Sequence, residues 1–85
     1  MSTKSVLEEI AKERNRQDEK WGEQNHSPAD YLTILGEEVG EANKAALEAK
    51  FAGKPWDDYR KELVQVAAVA VAMIECFDRN KNNQP

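Results

Sequence analysis

Apolar residues recur along this chain at helical rather than alternating spacing, in three separate stretches. Val6, Leu7, Ile10 and Ala11 lie three and four apart behind Ser5-Val6-Leu7-Glu8, a capping-box pattern, and predict a first helix over about 5–20. Leu32, Leu35, Val39, Ala42 and Ala46 form one stripe of a second helix over about 28–51. Ser27-Pro28 and Asp30 mark its start, and Gly53 and Pro55 mark its end. A third helix over about 57–79 begins at Asp57, a good N-cap, with Asp58 also favourable to the first turn. Its run from Leu63 to Ile74 is apolar except for Gln65. Valines alternate with alanines there as in a strand, but the alanine content, the length and the helical flanks favour a helix. The polar tail 80–85 is expected to be frayed or disordered. The fold class is therefore all-α, a three-helix protomer in a single domain, 1–85.

Two features do not fit a self-contained protomer. A helix that is apolar all round must be covered all round, and two other short helices cannot do that. A homo-oligomer with the third helix at a subunit interface is expected. Gly36 and Gly40 each cost about 1 kcal/mol relative to alanine inside a helix, which suggests that another backbone crosses closely at that level. The second half of the first helix, Lys12 to Glu19, is almost without apolar residues. It reads as a solvated helical end, or as a face from which Arg14, Arg16 or Lys20 reaches an anionic ligand.

Size and charge narrow the classes. A chain of 85 residues buries only roughly 60–65% of the surface its unfolded form exposes, which again favours association. The net charge of −4, with acids and bases interspersed, leaves no basic footprint for nucleic acid. Met1-Ser2-Thr3-Lys4 lacks the apolar core of a signal peptide, and the longest apolar run is too short to span a bilayer. A cytoplasmic protein without a membrane partner is expected. Cys76 has no Cys or His partner at metal spacing and reads as a small buried hydrophobe.

The chemistry is concentrated in carboxylates. Glu37, Glu38 and Glu41 fall within one and a half helical turns, and Ile34 and Ala45 share the side of Glu38 and Glu41. A semi-enclosed anionic site fits that mixed face better than a solvated flank does. Glu62 and Gln65 share a face of the third helix, and antiparallel packing of the last two helices would set the two pairs opposite each other as a ring of oxygens. Hard divalent cations take such ligands together with substrate phosphates. No phosphate-binding glycine loop, Ser/His/Asp set or zinc-type Cys/His spacing competes with this reading. The connection Trp21-Gly22-Glu23-Gln24-Asn25-His26 holds a helix-ending glycine. It also carries Trp21, read as a packing anchor before a stacking platform, and His26, read as a capping or surface residue before a catalytic one.

Glu38-x-x-Glu41, twenty residues, then Glu62-x-x-Gln65 resembles the metal-binding signature of the MazG-like all-α nucleoside triphosphate pyrophosphohydrolases, a Glu-x-x-Glu followed by a Glu-x-x-Asp. Leu35 to Ala42 and Glu62 to Ala70 are similar to the two motif helices, and Lys20-Trp21-Gly22-x-Gln24-x-His26 to an upstream segment of phage- and bacteria-type members. The resemblance spans roughly 14–75. It implies hydrolysis of a nucleoside triphosphate to monophosphate and pyrophosphate, with clearing of unwanted nucleotides as the role. It also implies Mg²⁺, or Mn²⁺ in its place, and an oligomeric helix bundle, dimer or tetramer. Carried over by position, Glu38, Glu41, Glu62 and Gln65 would hold the metal, and Glu37 would be an outer ligand or water-orienting base beside Glu38. Arg14, Lys20, Trp21, His26 and Lys44 are the candidates for substrate contact. Gln65 departs from the family's Asp, offering a neutral carbonyl and an amide donor in place of a charge. A nucleotide-binding protein without turnover, or a purely structural helical oligomer, are the alternatives.

Overall fold

The computed structural model describes residues 2–83, and among them three long helices and a terminal 3-10 turn account for nearly the whole chain, with no strand. Helix α1 spans Thr3–Trp21, α2 Pro28–Ala52 and α3 Trp56–Asn80. Helix α1 begins before Ser5 because Ser2 is the N-cap. The Ser2 hydroxyl accepts from the Ser5 amide at 3.1 Å, and the Ser2 amide donates back to Ser5 Oγ at 3.1 Å. Gly22 ends the helix as expected, at φ 73°, with its amide donating to Asp18 O at 2.8 Å.

Helix α2 starts where the sequence places it, with Ser27 Oγ accepting from the Asp30 amide at 3.1 Å and Pro28 in the first turn. It closes on Gly53 in the left-handed region, at φ 70°, while the Lys54 amide donates to Glu48 O at 3.2 Å. Asp57 is not the cap of α3. Pro55 takes that position without a side-chain bond, and both aspartates lie in the first turn, where they favour the helix dipole. The tail is more ordered than its composition suggests: α3 runs on to Asn80 and Lys81–Asn83 forms the 3-10 turn. The rest of that expectation, Gln84 and Pro85, lies outside the described residues.

Helix α3 is the centre of the protomer. The three-residue connection 53–55 folds α2 back against it as an antiparallel hairpin, and α1 packs on it from another side without approaching the α2 backbone. Ion pairs tie α1 and its following loop to α3 at both ends, Glu9 to Arg60 at 2.8 Å and Glu23 to Arg79 at 3.4 Å. The buried core is small-residued: Ala42, Ala45 and Ala49 of α2 meet Ala68, Val69 and Cys76 of α3, with Tyr31 as its one large member. Cys76 is buried as expected.

Two expectations change here. A Cβ on Gly36 or Gly40 would meet nothing within 4 Å, so among the described residues no backbone crosses at that level. The second half of α1 is not a solvated end, because Glu13, Arg14 and Gln17 turn toward α3 and are half-buried there. The apolar surface of α3 is covered only in part: Ile74 is 62% exposed and Phe77 52%. Among the described residues, no helix is long and apolar enough to cross a membrane.

Candidate functional site

Because the α1 and α2 backbones stay apart, a cavity of about 310 Å³ opens between them over the middle of α3, walled at one end by the loop 22–27. Five of the ten candidate site residues line it, namely Arg14, Trp21, His26, Glu38 and Gln65. Glu37, Glu41 and Glu62 stand behind Glu38 rather than on the wall, and Lys44 is exposed on α2 away from it. Lys20 lies outside the lining as well, its ammonium 4.7 Å from the centre of the Trp21 ring.

Glu38 is the electrostatic focus. Partial burial pushes its carboxyl above the ordinary value, and the charges of Glu62, Glu41, Glu37 and Glu13 push it further in the same direction. The acids of α2 and α3 are thus brought together as the antiparallel packing required. They do not form the expected ring, however: among the described residues no three acidic, histidine or cysteine side chains converge into a metal cage. The donors are nonetheless hard oxygens crowded round a half-buried carboxylate, the chemistry that suits Mg²⁺ or Mn²⁺, and a cation there would relieve the repulsion.

Glu13 is the acid that sequence reasoning missed. It comes from α1, where a charged stretch gave no apolar neighbour to mark it as inward-facing. Arg16 grips it with Nε and Nη2 at 2.8 and 2.6 Å, and this holds its carboxyl down to about 2, with help from the Gln65 and Gln17 amides. Gln65, at the position of the family's Asp, is tied to α1 by its carbonyl, which accepts from Gln17 Nε2 at 3.3 Å, and Gln17 Nε2 also donates to Glu13 Oε2 at 3.3 Å. Only the Glu13–Arg16 spacing, three apart on one helix face, was available as a signal.

The aromatic end of the cavity is built differently from expectation. Trp21 is no packing anchor in the protomer, since it is 54% exposed at the rim. His26 neither caps α2, which Ser27 does, nor lies on open surface. Its ring meets Tyr31 edge-on at 4.9 Å, and the Tyr31 hydroxyl donates to Gln24 O at 3.2 Å. Arg79 and Asn80 clamp the loop from the end of α3, donating to Asn25 Oδ1 at 3.2 and 2.8 Å, and Arg79 also reaches Gln24 O at 3.1 Å. Nor does Arg14 await an anion: its guanidinium donates to Glu75 Oε1 at 2.9 Å, Gln17 Oε1 at 2.9 Å and Asp18 Oδ1 at 3.0 Å. No protein-family model, curated protein or solved structure matches the chain.

Proposed function

We propose that this protein is a Mg²⁺-dependent nucleoside triphosphate pyrophosphohydrolase of the MazG-like type, working in the cytoplasm as a homodimer or homotetramer. The observation that carries the reading is the half-buried Glu38, surrounded by the charges of Glu62, Glu41, Glu37 and Glu13 beside a cavity of ligand size. The twofold appearance of acids on facing helices, at the spacing of the family signature, supports it. The apolar surface left open on α3 and on α2, where Leu32 and Leu47 are exposed, supports the oligomer.

Glu38, Glu41 and Glu62 would hold the metal, with Gln65 offering its carbonyl once released from Gln17. The bound ion would supply charge neutralisation at the phosphates and lower the pKa of a water. Glu37, beside Glu38 in sequence, would orient that water and take its proton as the α–β bond is cleaved. Trp21, half-exposed at the cavity rim, offers an indole face to a base. The second reading, nucleotide binding without turnover, draws on the present engagement of Gln65 by Gln17.

Phosphorus NMR of ribo- and deoxyribonucleoside triphosphates incubated with protein and Mg²⁺ tests the proposal. Monophosphate and pyrophosphate are expected with the wild type and not with Glu62→Gln; absence of turnover by the wild type overturns it and leaves the binding protein. Gln65→Asp is expected to lower the melting temperature without metal, because it sets a second charge beside Glu13. It should also tighten Mg²⁺ binding in a calorimetric titration. Unchanged Mg²⁺ affinity would remove Gln65 from the ligand set.

A further inference from the structure

Gln65 walls two cavities, not one. A second, open groove of about 410 Å³ lies between the middle of α1 and the first part of α3, edged by Lys12, Arg16 and Lys61 together with Glu9 and Glu13. The two spaces are opposite in charge. The cavity on the loop side sets two arginines, Arg14 and Arg79, against four carboxylates. In the groove both carboxylates are already matched, Glu9 by the two Nη atoms of Arg60 at 2.8 Å and Glu13 by Arg16. Among the described residues, neither the Lys12 nor the Lys61 ammonium has a carboxylate partner within salt-bridge distance. Two lysines lining one groove, neither held in a salt bridge, attract a polyanion.

We propose that this groove is the seat of the pyrophosphate end of the substrate, with Lys12 and Lys61 as its phosphate-binding residues. The assignment rests on the hydrolase reading above and adds a direction to it. The nucleoside lies in the acidic, aromatic cavity. The chain of phosphates passes Gln65 and the acids around Glu38, and the β- and γ-phosphates leave into the basic groove. The placement separates opposite electrostatic demands. A triphosphate turned the other way would put its most charged end among Asp18, Glu23 and Glu75, where repulsion acts against it. In the proposed direction the bond to be broken falls at the boundary of the two spaces, where the carboxylates are gathered.

Calorimetric titrations with inorganic pyrophosphate and with a nucleoside monophosphate, Mg²⁺ present throughout, test it without requiring turnover. The comparison is between wild type, Lys12→Ala/Lys61→Ala, and Lys54→Ala as a control on the α2–α3 connection; circular dichroism checks that all three fold alike. Removing one charge-assisted hydrogen bond to a phosphate should weaken binding about tenfold or more. The double variant is therefore expected to lose pyrophosphate affinity at least about tenfold while binding the monophosphate as the wild type does, with Lys54→Ala unchanged. That result upholds the groove whether or not the protein turns over triphosphates. Equal pyrophosphate affinity in wild type and double variant overturns it, as does failure of the wild type to bind pyrophosphate or parallel loss of both ligands. In those cases the hydrolase reading stands or falls on the phosphorus NMR alone.

Discussion

Glu38→Gln is expected to make the protein more stable and inactive at the same time. Glu38 is half-buried among four other carboxylates, and burial together with their charges raises its pKa above the ordinary 4.5. The folded protein therefore holds the Glu38 proton to higher pH than the unfolded chain does, so folding stability declines as pH rises from 4.5 through the folded-state value. Glutamine keeps the shape, does not titrate and removes the repulsion. At pH 7 the variant should be more stable by a few tenths to about 1 kcal/mol, the range of exposed and partly exposed charge pairs. Near pH 4 or below, where the wild-type carboxyl is protonated in both states, the two proteins should melt together. Turnover should fall by at least about 100-fold, because loss of even an outer-shell partner of a metal site costs 10–100-fold. Thermal melts at the two pH values, with phosphorus NMR on the same samples, decide the matter. A variant that is less stable at pH 7 would show Glu38 to be a structural residue, and the acid cluster would lose its claim to be a site.

The helices are legible from the chain because their signals are local. Ser27-Pro28 with Asp30, Gly22 and Gly53 each act within one turn, and the structure places caps and ends on them. The start of α1 differs from expectation for the same kind of reason: Ser2-x-x-Ser5 is a weaker pattern than Ser5-x-x-Glu8, yet it is the one whose hydroxyls and amides pair. Pairing of α2 with α3 follows from the short connection, and with it the approach of Glu38 to Glu62.

What the chain does not disclose is the rotation of α1. Between Lys12 and Lys20 there is no apolar stripe to say which side faces inward, and polar side chains make the choice. Arg14 and Gln17 turn to α3 because Glu75 and Gln65 there complete their hydrogen bonds, a match between residues about 50–60 apart in sequence that no periodicity encodes. The glycines fail in the opposite sense. Gly36 and Gly40 suggest room for a crossing backbone, but the protomer leaves the space above them open, on an exposed face that also carries Leu32, Val39 and Leu47. The apolar excess of α3 likewise has no answer within one chain. Both are surfaces that the proposed homo-oligomer would cover.

Arg14→Met is the substitution expected to cost most stability, by about 1–2 kcal/mol, with much of the loss recovered by a second change at Glu75. The Arg14 side chain is only 14% exposed and bridges α1 to α3 through Glu75 at 2.8 Å, while also holding Asp18 of its own helix at 3.0 Å. Methionine preserves much of the aliphatic stem but removes the charge. Glu75 and Asp18 are then left uncompensated on the wall of a cavity that already contains Glu23 and Glu38. Glu75 is 47% exposed, so water screens part of the penalty, and the expected loss stays well below that for a fully buried pair. Converting Glu75 to Gln in the Arg14→Met background removes one of the stranded charges. The double variant should therefore recover at least about half of the loss, with a coupling energy near 1 kcal/mol from the four melting curves. Simple additivity of the two single losses would mean that the ion pair contributes nothing and that packing of the arginine stem alone joins α1 to α3. Coupling of the expected size would show that the orientation of α1 is set by charge, which is why its hydrophobic pattern does not reveal it.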